Sequence, residues 1–410
     1  MSPTGRTAGL VAACALLAFV LPTAVVTALV VLVLVAAGLD ARRVRGAPEV
    51  VRQVPLLLSR GVPDVLRLTV SDPSAQVAQP VPAGLAVGPL RPVGVGGYEA
   101  QLLAARRGRH ALPPAVVRRV GPRGLGAWTH HVGGTAPVTV YPDLPAARRL
   151  ARPRRVSVAT LPGQSLRGPL GLGTDFEALR DYLPDDDVRM VNWRATARLD
   201  RPMSNTYRVE QARRVLLAVD CGRLMAAPLA GGVSRLDAAV DAAAAVALAA
   251  DAAADRVGLV AFDDAVRASV RPSVGGGAGV LRALAELEPR TVESDVELLL
   301  SGLPRGHRAA VLVFTDLLDE AGSRALVELL PAVAARHSVA VVSALDDELE
   351  AVLRTEPVDA ASAALLSAAA DLVEARLRAR TLLRRAGARV VEARAGRLAA
   401  GAVAAYLGPR

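Results

Sequence analysis

The chain has 410 residues, enough for two or three domains; 52% of them are hydrophobic but only 3% are aromatic, so its cores must be built from Ala, Val and Leu. The formal net charge is +10, and all 49 basic residues are arginines. They are spread along the chain without interleaved aromatic residues or a DNA-binding motif, so no nucleic acid is expected as a partner.

The N-terminal segment, residues 1–45, is expected to be a membrane anchor. Residues 7–39 carry no charge, and as one helix they would reach about 50 Å, against a hydrocarbon core of about 30 Å. Pro22 favours a break near the middle. We therefore expect two spanning helices, over residues 6–20 and 23–39, in contact with the lipid bilayer.

Flanking arginines set the expected orientation of this anchor. Arg6 precedes the apolar stretch, and three arginines follow it at Arg42, Arg43 and Arg45. The positive-inside rule then places both ends in the cytoplasm, which predicts a multi-pass protein of the cell membrane with cytoplasmic soluble domains. A cleaved signal peptide and a single tilted span with the bulk of the chain outside are the competing interpretations. The length of the apolar stretch argues against the signal peptide.

Residues 50–143 form a predicted β-rich domain. Short runs of strand-forming residues, such as Val65–Val70 and Val138–Tyr141, alternate with Pro and Gly. This spacing is typical of a small β-sandwich or half-barrel. The glycine-rich run from Gly121 to Gly126 is expected to be a turn between strands, with no chemical role assigned.

Residues 144–210 are predicted to be a linker followed by a charged signature. Residues 144–173 are rich in Arg, Pro and Gly and have no period. In the signature, acidic and basic residues alternate with Phe176, Tyr182 and Trp193, and these aromatic side chains are expected to dock onto the next domain. The three consecutive carboxylates at 185–187 cannot all face one ion, so a metal site there is disfavoured.

Residues 211–410 alternate between strand and helix signals. Uniformly apolar strands separated by helices predict a doubly wound, mostly parallel sheet covered on both faces. The predicted strands are Val215–Val219, Val257–Phe262, Ala309–Phe314, Val339–Ala344 and Ala388–Val391. The predicted helices are Leu236–Ala254 and residues 278–287, 295–301, 322–336, 360–386 and 396–407. Asp220 and Asp316 then fall at the carboxyl edge, where such sheets bind ligands.

An aspartate after each of two apolar strands resembles the metal-ion-dependent adhesion site of von Willebrand factor A domains. In that family the first strand ends in Asp-x-Ser-x-Ser, a loop Thr follows, and a later Asp completes the site. The resemblance implies that Asp220, Ser294 and Asp316 could hold Mg²⁺ or Mn²⁺, with Ser294 in place of the loop Thr. The two motif serines, however, are replaced by Gly222 and Leu224, which puts the metal in doubt.

The charged signature narrows the resemblance further. Its Asp-Asp-x-Arg-x-x-x-Trp-Arg pattern resembles the bacterial membrane proteins grouped as domain of unknown function family 58, and the likeness extends over nearly the whole chain. The resemblance implies a two-helix anchor, a β-rich segment, a von Willebrand A-like domain and a MoxR-type AAA+ ATPase as partner. The residues that form the predicted interaction signature are Asp186, Asp187, Arg189, Trp193 and Arg194.

No pattern in the sequence indicates an enzyme. The run Gly275–Gly279 lacks the Lys-Ser/Thr of a phosphate loop, and no Ser/His/Asp arrangement has supporting context. The main hypothesis is a non-enzymatic, membrane-anchored interaction or scaffold protein. The alternative is a divalent-cation-dependent ligand-binding protein, and a third hypothesis, motivated by charge alone, is a nucleic-acid binder at the membrane surface.

Overall fold

The computed structural model describes residues 1–151, 170–183, 191–199, 201–208, 213–230, 232–304, 306–317 and 320–408. The chain divides into two compact units. The first comprises Met1–Ala147 with Leu281–Glu288, and the second comprises Arg148–Val280 with Pro289–Arg410.

The first unit begins with a short strand and a helical hairpin. The strand β1 (Ser2–Pro3) pairs with a later strand of the same unit. Helix α1 (Gly5–Leu16) continues as a 3-10 turn through Phe19, and α2 (Thr23–Arg42) starts directly after Pro22, where the sequence predicts the break.

Only the second helix of this hairpin meets the length expected of a membrane span. In the described part of the chain, α2 is the one helix that is both long and apolar enough to cross a membrane. Helix α1 has 12 residues and reaches only about 18 Å, short of a hydrocarbon core of about 30 Å. The prediction of two spanning helices is therefore supported for α2 alone.

Both ends of the hairpin are bound to the same turn of the β-rich region. The Thr4 backbone N–H donates to Leu125 O at 3.1 Å. At the other end, the buried Asp40 carboxylate accepts from the backbone N–H groups of Leu125 at 2.9 Å and Gly126 at 3.2 Å. A Cβ at Gly126 would lie 2.1 Å from Ala37 O, so only glycine permits this approach. The hairpin thus leaves and re-enters the unit at one place.

The β-rich middle of the chain is confirmed. Its strands are β2 (Val50–Gln53), β3 (Leu57–Ser59), β4 (Asp64–Val70), β5 (Gln76–Ala78), β6 (Leu85–Val87), β7 (Arg91–Pro92), β8 (Gly97–Ala104), β9 (Gly108–Leu112), β10 (Ala115–Val120), β11 (Gly126–Val132) and β12 (Ala136–Tyr141). With β1 they form three sheets with the orders β1-β11-β10-β5, β3-β12-β9 and β2-β4-β8-β6, and β7 pairs with β8.

Alternating burial along these strands builds the core of the first unit. In β4 the side chains of Leu66, Leu68 and Val70 are buried while their neighbours are exposed, the period-2 pattern of a half-buried strand. Leu66 and Leu68 share one core cluster with Leu112 and Val140, which joins the β2-β4-β8-β6 sheet to the β3-β12-β9 sheet.

The second unit starts where the sequence predicts an irregular linker. Helix α3 (Leu144–Ala151) occupies the beginning of that linker, and its residues from Arg148 onward belong to the second unit. Strand β13 (Leu170–Asp181) starts before the expected end of the linker. Strand β13 pairs antiparallel with β14 (Met203–Arg208), and the short helix α4 (Trp193–Leu199) precedes β14.

A six-stranded sheet forms the centre of the second unit. Its strands are β15 (Arg214–Asp220), β18 (Arg256–Phe262), β19 (Val266–Val274), β20 (Ala310–Phe314), β21 (Ser338–Leu345) and β22 (Arg389–Arg394). Their order is β19-β18-β15-β20-β21-β22, and all neighbours are parallel except the antiparallel edge strand β19. Numbered in chain order, this is 3-2-1-4-5-6, a strand order of doubly wound sheets.

The remaining elements of this unit are mainly helices. They are α5 (Arg235–Ala252), α6 (Gly277–Ala285, of which residues 281–285 belong to the first unit), α7 (Glu320–Ala334), α8 (Asp347–Arg354), α9 (Ala360–Arg385) and α10 (Ala395–Leu407), with two short strands, β16 (Pro228–Leu229) and β17 (Val233–Ser234), and 3-10 turns at Arg223–Ala226 and Val296–Gly302. Strand β19 and helix α8 are absent from the prediction. The helix expected over residues 295–301 is a 3-10 turn.

Helix α5 is buried on nearly all sides. Thirteen of its 18 residues are buried, because small alanine side chains let it pack closely against β15, β18, β21 and α10. Its N-terminus is closed by a capping box between Ser234 and Asp237. This packing fixes the first residue of the helix, Arg235, which belongs to the site described next.

Candidate functional site

Two adjacent parallel strands bring Asp220 and Asp316 to the carboxyl edge of the sheet. Strand β15 ends at Asp220, and its neighbour β20 ends at Phe314, directly before Thr315 and Asp316. Between these strands the chain order of the sheet reverses, and doubly wound sheets bind ligands at such a point.

The Asp220 carboxylate accepts three hydrogen bonds from within the protein. Its oxygens accept hydrogen bonds from Ser294 Oγ at 2.5 Å, Thr315 Oγ1 at 2.6 Å and the Gly222 backbone N–H at 2.8 Å. Burial raises the pKa of Asp220; the hydrogen bonds oppose that rise, and the nearby Asp316 charge adds to it. Thr315 was not among the predicted site residues. Its position directly after an apolar strand could have identified it from the sequence.

Close packing explains the glycine that departs from the adhesion-site motif. A Cβ at Gly222 would lie 2.1 Å from Ser294 Oγ, so a serine at position 222 could not coexist with Ser294 in its present position. The neighbouring Arg223 donates from Nε to the Glu293 carboxylate, and both side chains are largely exposed. The guanidinium of Arg223 is thus ion-paired with Glu293.

Asp316 is bound by two arginines. Arg235 Nη1 lies 2.7 Å from Asp316 Oδ1, and Arg376 Nη1 lies 3.5 Å from the same oxygen. Ser343 Oγ donates to that oxygen at 3.3 Å. Arg376 also donates from Nε to Glu392 at 2.8 Å, so its guanidinium bridges two carboxylates.

The predicted metal ligands therefore fall into two separate groups. The structure brings Asp220 and Ser294 into contact, whereas Asp316 pairs with Arg235 and Arg376. Among the described residues, no group of three or more His, Cys, Asp or Glu side chains could hold a metal ion. A hard divalent cation needs about six oxygens, and this donor set does not fit one.

The interaction signature is described only in part. Asp186, Asp187 and Arg189 lie outside the described residues. Trp193 and Arg194 begin helix α4; both are exposed, and Trp193 is 69% exposed. The expectation that Trp193 docks onto the next domain is therefore wrong.

Helix α4 is itself held firmly. The Asn192 side chain caps it by accepting from the Ala195 N–H at 3.0 Å, and the Asn192 N–H donates to Met203 O at 2.8 Å. Thr196 Oγ1 accepts from the Met203 N–H at 3.0 Å. Trp193 and Arg194 thus project from a helix tied to β14.

Comparisons with known proteins give one family match. The model of the family described as "Protein of unknown function DUF58" matches residues 178–389, just over half of the chain. Uncharacterized proteins of Mycobacterium bovis and Mycobacterium tuberculosis are each 29% identical over 185 residues, 43% of this chain and 56% of their own length. The chain therefore matches little more than half the length of these relatives.

Two solved structures also match part of the chain. The filamin domain of Lin-41 and a cohesin module from a Clostridium perfringens family 33 glycoside hydrolase each cover 23% of this chain, at 12% and 10% identity. The shares of those chains covered are 90% and 98%, with TM-scores of 0.15 and 0.14. At these TM-scores neither likeness defines the fold.

Proposed function

Because the chain belongs to the DUF58 family of proteins of unknown function, we propose that it is a non-enzymatic, membrane-anchored interaction protein whose partner is a MoxR-type AAA+ ATPase. The choice of this partner rests on the family resemblance of the charged signature, and no contact within the chain bears on it. The C-terminal sheet is, in this proposal, a von Willebrand A-like domain with a closed ligand edge.

The observation that supports an interaction role most strongly is the exposed pair at the start of α4. Trp193 is 69% exposed although tryptophan is among the side chains that gain most from burial. Trp and Arg are also the residue types enriched at binding hot spots. Because α4 is capped by Asn192 and tied to Met203, the pair is presented without a large ordering cost.

The contacts at the carboxyl edge support a non-enzymatic role. Asp220 accepts three internal hydrogen bonds, and Asp316 is paired with Arg235 and Arg376. Neither carboxylate is left available as a base, a nucleophile or a metal ligand without breaking these contacts. The edge of the sheet is therefore proposed to act as a rigid frame.

The hairpin supports a membrane anchor. Large apolar side chains along it are uncovered, including Phe19 at 90% and Leu32 at 64% exposure, which is typical of surfaces that contact a membrane or a partner. Since both hairpin ends meet the turn at Leu125, we propose that the hairpin enters and leaves the bilayer on one side. By the positive-inside rule, the arginines after α2 favour the cytoplasm as that side in this proposal.

A crosslinking pull-down of the full chain from native membranes tests this function. Wild type should capture a MoxR-type ATPase, and the Trp193→Ala/Arg194→Ala variant should lose it. Arg198→Ala, an exposed change on the same helix, is the matched control and should retain capture. Failure of wild type to capture any such ATPase contradicts the proposal, and equal capture by all three proteins removes the role of the signature.

The alternative, divalent-cation-dependent ligand binding, ranks second. The cluster of Asp220, Ser294 and Thr315 oxygens favours it. The ion pairs of Asp316 weigh against it, because an adhesion site would need that carboxylate free.

A further inference from the structure

A basic cleft lies at the opposite edge of the six-stranded sheet, around the amino ends of its strands. It has a volume of about 700 Å³. The described residues that line it include five arginines and two histidines but no aspartate or glutamate. The side chains used below are Arg213, Arg214, Arg256, Arg308, Arg389 and His337.

Two of these arginines have a structural role that explains their presence. Arg213 Nη1 donates to Tyr406 O at 3.2 Å, and Arg389 Nη1 donates to Ala405 O at 3.3 Å. Both acceptors lie in the last turn of α10, where backbone carbonyls lack helical partners and attract cations. These two guanidinium groups stabilise the end of a helix.

The other three arginines have no such explanation. Within the described residues, the guanidinium groups of Arg214, Arg256 and Arg308 take part in no hydrogen bond or ion pair. The carboxylate of Asp255, which precedes Arg256 in the chain, accepts from the Arg213 backbone N–H at 2.7 Å and from the Tyr406 hydroxyl at 2.6 Å. Three guanidinium groups therefore line one cleft with no ion-pair partner in the described part of the chain.

His337 adds a neutral donor to the same cleft. It is 6% exposed, and its Nδ1 accepts from the Ala309 backbone N–H at 3.2 Å, which places the ring proton on Nε2. No described residue accepts from that Nε2. Burial, and then the charges of Arg336 and Arg308, lower the pKa of His337, so the ring is neutral near pH 7.

We propose that this cleft is a binding site for a phosphate-bearing small molecule. Guanidinium groups pair with phosphate through two parallel hydrogen bonds, and a multiply charged anion is needed to balance several unpaired arginines. The volume lies in the range of small-ligand pockets. A soluble phosphate compound and a phospholipid headgroup present the same group to these side chains.

Calorimetric titration of the full chain in a neutral detergent with inorganic pyrophosphate tests the site. Wild type should release or absorb heat on binding, and Arg256→Gln/Arg308→Gln should bind at least tenfold more weakly. Both arginines are exposed and unpaired in the described structure, so the variant should melt at the same temperature as wild type. Arg271→Gln, which removes an exposed arginine on the edge strand β19, is the matched control and should bind as wild type does.

Competition distinguishes the two sources of phosphate. Displacement of pyrophosphate by short-chain phosphatidylglycerol, but not by short-chain phosphatidylcholine, assigns the site to an anionic headgroup. Lack of displacement by either assigns it to a soluble phosphate compound. The proposal is overturned if wild type shows no binding of pyrophosphate, or if the double variant binds it as tightly as Arg271→Gln does.

Discussion

The guanidinium of Arg235 donates to the carboxylate of Asp316 at 2.7 Å, and more than nine-tenths of each side chain is buried. Arg235 reaches this position because it is the first residue of the buried helix α5, which the Ser234 cap holds in place. A fixed positive charge thus stands beside one of the two strand-end aspartates. This pairing underlies our assignment of the carboxyl edge as a closed frame.

Breaking this pair is expected to destabilise the second unit. Arg235→Met should lower the free energy of unfolding by about 3 kcal/mol, because it leaves Asp316 buried with only the more distant Arg376 as a counter-charge. Urea unfolding of the full chain in detergent measures the change. Arg378→Met, which breaks an exposed pair with Glu374, should cost under about 1 kcal/mol. Equal costs for the two changes would contradict this role of Arg235.

The same geometry predicts that the carboxyl edge does not bind divalent cations. Calorimetric titration of wild type with Mg²⁺ or Mn²⁺ should give no binding heat. The charge of Asp316 is already balanced by its ion pair with Arg235, and Asp220 accepts three internal hydrogen bonds. Heat in wild type that disappears in Asp220→Ala would instead establish the cation-dependent alternative.

Asp220 should make stability fall as the pH rises. Burial raises its pKa above the ordinary value of 3.8, so its favourable contribution is complete below that value and is lost as the pH rises through the raised pKa. Asp220→Asn, which keeps an acceptor oxygen, should gain stability relative to wild type as the pH increases above about 4. Melting temperatures between pH 4 and pH 8 measure this difference.

An exposed aspartate, Asp359, should contribute to stability with the opposite pH dependence and serves as the control. Hydrogen bonds from Ser362 lower the pKa of Asp359, so its contribution is present above the ordinary value and is lost in acid. The stability of Asp359→Asn should therefore fall furthest below that of wild type at neutral pH and least at low pH. A constant difference between Asp220→Asn and wild type across the range would refute the assignment of a raised pKa.

The attachment of the hairpin depends on Asp40 and Gly126. Asp40→Ala leaves the buried backbone N–H of Gly126 and the part-buried backbone N–H of Leu125 without acceptors, which should cost about 1–3 kcal/mol for the buried group and less for the other. Gly126→Ala introduces a Cβ that meets Ala37 O at 2.1 Å and should loosen the same joint. Limited proteolysis at the turn should become faster in both variants.

Gly38, which lies on α2 near Asp40, provides the control for these two changes. A Cβ at Gly38 meets nothing within 4 Å, so Gly38→Ala should be cleaved at the wild-type rate. If Gly126→Ala is cleaved no faster than Gly38→Ala, the turn does not hold the hairpin.

Continuous apolar runs allowed much of the second unit to be predicted. A buried strand flanked by helices has a distinct pattern, and the five predicted strands, including the one that ends at Asp220, are present within a few residues. The edge strand β19 was missed because Arg267, Ser269 and Arg271 interrupt its apolar residues, as expected where one side of a strand faces solvent.

The chemistry of the site was less accessible from the sequence. Arg235 and Asp316 are 81 positions apart, and no local spacing indicates that a helix start and a strand end will meet. The role of Gly126 depends likewise on a helix 86 positions earlier. The length of α1 could not be read from composition, because its apolar residues continue into the turn before Pro22.

Site-specific photo-crosslinking can show whether Trp193 contacts the proposed ATPase partner. A benzophenone amino acid replaces Trp193 in one protein and Leu199, another exposed residue of α4, in a second. After irradiation of intact cells, we expect a covalent adduct with a MoxR-type ATPase from position 193 and little or none from position 199. Absence of that adduct from position 193, with the protein folded and in the membrane, would contradict the claim that Trp193 lies on the docking surface for this partner.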